Sequence, residues 1–282
     1  MSKKKDQERK SGRRRSGAGG GLRRPVDSYG DQSVRVIYVA GEGAKTEPDY
    51  FKKLSETYGK RKKFQIKVCT ASDDKGLRPE AVVEQVLKGA EAKGDPDCEK
   101  WAFFDRDTTN NRDAAIPAAM RMAAEKGVQV GLSHPSFELW LLLHFQPFTS
   151  QENGDSEQVI SKLRSHPKAK GFKDYDKDSG ERGKGLEGER WESLAGKEKD
   201  AIRNARNLVA ACPYGGCSPK KADEYLKARE EAGASGALVP ESYEQWRTWT
   251  GHAADCDALK RDPSTDVWRL ISSLGIGAED SA

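Results

Sequence analysis

The chain has 282 residues, 33% of them charged and 35% hydrophobic, with five cysteines and a formal net charge of +4. That length allows one large or two modest domains, and the longest apolar run, residues 139–143, is far short of the roughly 20 residues that cross a bilayer. Cysteines that are odd in number and scattered argue against a disulfide framework and for a reducing, cytoplasmic setting, and no apolar stretch near the N-terminus reads as a signal peptide.

Residues 1–24 hold ten Lys or Arg against Asp6 and Glu8, a net +8 that leaves −4 for the remainder. With the Gly-rich run at 17–21, this arm (residues 1–30) cannot build a core and is expected to be disordered. Arg13, Arg14, Arg15, Arg23 and Arg24 are candidate nucleic-acid contacts, because such an arm gains affinity by releasing counterions from phosphates. A solubilising leader is the bland alternative.

Val34–Ala40 reads as a buried strand, β-branched and bounded by glycine. Thr46 offers an N-cap oxygen and Pro48 suits a first turn, so a helix is expected over 47–58 with Tyr50, Phe51 and Leu54 on one face. Alternation predicts a strand over 64–70, and Arg78-Pro79 opens a second helix. A third strand at 101–105, a helix at 114–126 ended by Gly127, and a fourth strand at 128–132 complete an α/β alternation that calls for a parallel sheet. An apolar helix at 136–145 packs on it, closing an α/β domain over 31–148. Beyond it lies a mostly helical extension, 149–282. Within this, 168–197 reads as a polar mobile loop, 198–211 as a helix, 212–260 as an insertion with a helix at 222–232, and 265–274 as a final helix capped by Ser264 or Asp262.

Two of these strands run into carboxylates. Asp105 and Asp107, two apart on an extended segment, project to the same side, and hard cations such as Mg²⁺ take oxygen ligands of this kind. Glu42 sits between Gly41 and Gly43, which allow a sharp turn and a close approach to a ligand. Lys45 and the helix start beside it suit a phosphate. An ATP-binding P-loop is excluded, since Ala44 precedes Lys45 and Val39 stands where that motif needs glycine. Glu138, a carboxylate among Phe137, Leu139 and Trp140, is costly to bury unless paired or metal-bound, and is a further ligand candidate. A helix-start acid interacting with the dipole is its bland reading. His144 is expected to be a packed core histidine. In the insertion, Cys212, Cys217, His252 and Cys256 have spacings that can hold Zn²⁺ tetrahedrally, against which stand the long gap between the pairs and the two cysteines elsewhere.

Strand–Glu–Gly followed by strand–Asp-x-Asp resembles a TOPRIM domain. More narrowly, the stretches 42–51, 134–145, 204–206 and 263–268 resemble, in order, the motifs of RloB-like proteins. The resemblance implies a TOPRIM-like, Rossmannoid α/β fold with a parallel sheet flanked by helices. It also implies a nuclease of bacterial anti-phage defence, acting by abortive infection and often accompanied by a partner ATPase. The chain departs from that pattern by its insertion and by His134 where the family more often has Asn. The expected function is a Mg²⁺- or Mn²⁺-dependent endonuclease acting on DNA or tRNA, with Glu42, Asp105 and Asp107 on the metal and Lys45 offsetting charge on the phosphate. Glu42 is also a candidate general acid or base. The alternatives are a non-catalytic nucleic-acid-binding or regulatory subunit of an ATPase-containing defence complex, and a nucleotidyl- or strand-transfer enzyme on the same fold.

Overall fold

The computed structural model describes residues 34–70, 77–94, 98–107, 113–151, 153–177, 183–231, 240 and 242–278. The basic arm with Arg13, Arg14, Arg15, Arg23 and Arg24 lies outside them. The strands β1 (Arg35–Gly41), β2 (Phe64–Val68), β3 (Glu99–Asp105), β4 (Gln129–His134) and β5 (Ser264–Thr265) form one sheet in the order β2-β1-β3-β4-β5. The first four are parallel and β5 runs antiparallel to β4.

Both faces of the sheet are covered, which is why residues 36–40 of β1 and 101–104 of β3 are apolar without alternating. Ile37, Val39, Trp101 and Phe103 face one core, shared with α1 (Thr46–Lys62), α4 (Phe137–Leu143), α7 (Glu198–Ala210) and α10 (Val267–Ser273). Tyr38, Ala40, Ala102 and Phe104 face the other, with α2 (Pro79–Glu91) and α3 (Ala115–Glu125). All seven residues of α4 are buried, as expected of a helix apolar on every side: it lies between the sheet, α7 and α5 (Glu157–Ser165). Gly131 of β4 leaves room for the Phe103 ring, since a Cβ there would lie 2.2 Å from it.

The C-terminal half departs from expectation in three places. The stretch 168–197, read as a mobile polar loop, carries α6 (Glu189–Leu194) and buries Phe172, Tyr175, Leu186 and Leu194. Where the insertion suggests one helix at 222–232, there are two, α8 (Pro219–Glu231) and α9 (Tyr243–Trp249). Trp246 of α9 is buried against the α2/α3 core and donates its indole N–H to the Val128 carbonyl at 3.3 Å. Finally, Ser264 and Thr265 are not a helix start but the edge strand β5, and Asp266 is the N-cap of α10. Two residues are too few to show a strand period. No helix among the described residues is long and apolar enough to cross a membrane.

Candidate functional site

The chain leaves β1 toward β2 on one side and returns to β3 on the other, so the strand order reverses between β1 and β3. Open α/β sheets bind ligands at the carboxyl ends of strands flanking such a switch point. Glu42 and Asp105 stand there. The Glu42 backbone N–H extends the ladder to the Phe103 carbonyl at 3.0 Å, and its carboxylate accepts from the Asp105 backbone N–H at 3.3 Å. Glu42 is half-buried rather than exposed.

Two further acids close over this point. Glu47, in the first turn of α1, is 5% exposed and folds back so that its Oε1 accepts from the Gly43 N–H at 2.9 Å. The glycines make room for it: a Cβ on Gly43 would lie 2.5 Å from Glu47 Oε2, and one on Gly41 2.8 Å from Glu47 Cβ. The sequence reading missed Glu47, yet it carried a signal. Glu47, Tyr50, Phe51 and Leu54 fall on one helical face, so the apolar period itself turns this carboxylate inward. Glu138, in the first turn of α4, is also 5% exposed. Its Oε1 accepts the Tyr175 hydroxyl at 2.7 Å and lies 3.8 Å from Lys184 Nζ.

The electrostatics follow from four carboxylates sharing little water. Burial pushes Glu47 up to about 7, with Glu138 and Glu42 adding to it. Asp105 is raised well above the usual carboxylate range by burial and then by Glu47, Glu42 and Glu138. Lys184 feels burial first, but Glu138 and Asp176 outweigh it and hold its ammonium more firmly protonated. Asp107 follows β3 at the open end of the strand and is half-buried. Lys45 is the N-cap of α1, in place of the expected Thr46, and lines a groove with Pro48, Asp49, Lys52 and Gln65. A further cation, Lys184 from the stretch read as a loop, lies beside Glu138. Thr46 meets that stretch: its Oγ1 is 2.8 Å from the Tyr175 hydroxyl and 3.1 Å from the Lys184 carbonyl. Asp49 accepts from the Leu186 N–H at 3.1 Å.

Carboxylate oxygens are the donors that a hard divalent cation takes. Such a cation would take a subset of them directly, with water and phosphate completing its shell, since these oxygens are not drawn into one tight group. Tyr175→Phe removes the hydroxyl that Glu138 accepts, and is expected to lower stability by about 1.5–3 kcal/mol, the range for a hydrogen bond to a charged group. Denaturant unfolding measures this, and an unchanged midpoint would remove Tyr175 from the support of the site.

Arg106 turns away from the acids. It grips Asp113 with two bonds, at 3.1 and 2.9 Å, and lies 3.1 Å from His134 Nε2. Burial, then Arg106, pushes His134 down to about 4, so its imidazole is neutral and accepts from the guanidinium. His144 is a core residue as expected: fully buried, with Nδ1 2.9 Å from the Trp140 carbonyl.

A second cluster lies apart from these carboxylates in the chain. Cys212, Cys217, His252 and Cys256 are brought together with one ligand atom from each within 4.8 Å of all the others, a grouping able to hold a metal ion, and the one such group among the described residues. Burial and the neighbouring Cys217 and Cys256 sulfurs push the Cys212 thiol up to about 12.

A family model described as RloB-like protein matches residues 37–274. No curated protein and no solved structure is detectably similar to the chain.

Proposed function

The chain belongs to the RloB-like protein family, and from that premise we propose that it is a metal-dependent endonuclease of the TOPRIM type, cleaving DNA or tRNA phosphodiesters in anti-phage defence. The observation that carries the reading is the convergence of Glu42, Glu47, Asp105 and Glu138 at the switch point of a parallel sheet, where burial and the neighbouring carboxylates disfavour ionisation of Glu47 and Asp105.

Glu42 and Asp105 would hold Mg²⁺ or Mn²⁺, with Asp107 and Glu138 as the outer candidates on either side. A bound ion would supply Lewis acidity for orienting the phosphate and activating water. Glu47, poised at about 7, has the affinity for protons that suits a general acid or base near neutral pH, a role the sequence placed on Glu42. Lys184, beside Glu138, joins Lys45 as a cation that would offset charge on a phosphate at the rim of the cluster. Tyr175 and Thr46 hold Glu138 and the Lys184 backbone in register with α1.

The test is incubation of purified protein with plasmid DNA, single-stranded DNA and total tRNA, with Mg²⁺, with Mn²⁺ and with chelator. Metal-dependent cleavage of at least one substrate is expected. Binding without cleavage of any would return the chain to a non-catalytic subunit. The partner ATPase follows from the family resemblance, a host-toxic nuclease needing restraint. Affinity purification from the native host is expected to bring an ATPase down with the chain. Full activity of the isolated protein with no ATPase bound would overturn that partnership.

A further inference from the structure

We propose that Cys212, Cys217, His252 and Cys256 form a structural zinc site that clamps the insertion to the edge of the sheet, with His252 ligating through Nδ1. The ligands come from two connections: Cys212 and Cys217 lie between α7 and α8, and His252 and Cys256 lie between α9 and the 3₁₀ turn Ala258–Lys260. The distances suit it. Two thiolates about 2.3 Å from a tetrahedral zinc sit about 3.8 Å apart; Cys212 and Cys256 Sγ are 3.7 Å apart, and Cys256 Sγ is 3.9 Å from His252 Nδ1. A disulfide would need a sulfur separation of about 2.05 Å.

Two groups outside the ligand set point the same way. His252 Nε2 is 3.2 Å from Asp266 Oδ1, and both residues are buried. A carboxylate on the far nitrogen of an imidazole fixes its tautomer and turns the other nitrogen to the metal. Arg261 is 3% exposed, donates from Nε to Cys256 Sγ at 3.2 Å, and makes no hydrogen bond through either Nη, although Nη1 comes within 3.9 Å of Asp266. A buried guanidinium so poorly met is costly beside neutral thiols. Three thiolates and a neutral imidazole on Zn²⁺ carry one net negative charge, which Arg261 balances. Four protein ligands leave no open position, so the ion is structural and not a second reaction centre. Asp266 is the N-cap of α10 and its N–H donates to the Leu132 carbonyl of β4, so the clamp pins α7, α8 and α9 to the strand beside the acidic site. The Ala253 N–H donates to Cys217 Sγ at 3.3 Å, tying the two connections together.

Full-length protein purified without chelator is expected to carry about one zinc per chain. Exchange for Co²⁺ is expected to give tetrahedral d–d bands and thiolate-to-cobalt charge transfer. Cys217→Ser is expected to lower zinc affinity at least tenfold, and Asp266→Asn by about 10–100-fold. Cys69→Ser and Cys98→Ser, in the other half of the chain, are expected to keep full stoichiometry. A folded protein that contains no zinc and gives no charge-transfer band overturns the site, as does full zinc content in the Cys212→Ser/Cys217→Ser variant. Should that variant not fold, the cobalt spectrum of the unaltered chain still decides. Zinc content is read without any cleavage assay, so this proposal and the nuclease reading fail separately.

Discussion

Asp105→Asn is expected to lower metal-dependent cleavage by at least about 100-fold, the scale on which losing one preorganised charged group costs an active site, while raising the melting temperature of the metal-free protein. The two effects share one cause. Asp105 is held among Glu47, Glu42 and Glu138 in a buried setting that resists its ionisation, so its charge opposes folding and is retained for another purpose. Asn keeps the shape and leaves the backbone N–H that Glu42 accepts, but supplies no anion for a cation. Cleavage rates and thermal melts in chelator check the pair of outcomes. Cleavage at the unaltered rate would refute the role of Asp105. Loss of cleavage together with loss of stability would show a structural part instead.

In chelator, the contribution of Glu47 to stability, read as the difference between the unaltered chain and Glu47→Gln, is expected to fall as pH rises from about 4.5 to about 7, and divalent cation is expected to restore it at the upper end. Glu47 moves from an ordinary value of 4.5 to about 7 on folding. Between those values the folded chain binds more protons than the unfolded one, so its stability declines with rising pH, by up to about 3 kcal/mol for this group. Mg²⁺ binds the ionised cluster, so its affinity grows over the same window and adds stability by mass action. His134 and His144, each pushed down to about 4 chiefly by burial, work in the opposite direction below about 6.5. The difference between the unaltered chain and Glu47→Gln therefore isolates the carboxylate. Melts across pH 5 to 8 with and without Mg²⁺ measure it. A Glu47→Gln protein with an unchanged pH slope, or no Mg²⁺ protection at pH 8, would show that Glu47 does not share its charge with a metal site.

Much of the fold was legible in the sequence because parallel strands buried on both faces are written as unbroken apolar runs, as in residues 36–40 and 101–104, and because helix signals such as Arg78-Pro79 are local. Glu42 and Asp105 were legible for the same reason: an acid directly after a buried strand can only lie at a sheet edge. Glu47 was hidden behind its place in an ordinary acidic first turn. Tyr175 and Lys184 were hidden in a polar Gly-rich stretch, where no period announces burial. The residues of the Cys/His cluster were visible as types and spacings, while His252's partner Asp266 and the Arg261 contact to Cys256 were not.

The amino-acid order by itself determined the elements of the α/β core, the sheet's parallel sense and the two strand ends that carry acids, since each depends on periodicity and on neighbours within a few residues. Tertiary structure alone decided which acids share a charge environment and which cation answers them. Lys184 and Glu47 join the acids seen from the sequence because chain crossings bring 138, 175 and 184 onto the ends of β1 and β3. The same is true of β5, two residues whose strand character exists only through pairing with Ser133 and His134. Interactions that decay over a few ångströms are set by proximity in space, and proximity across more than a hundred residues is a property of the folded sheet.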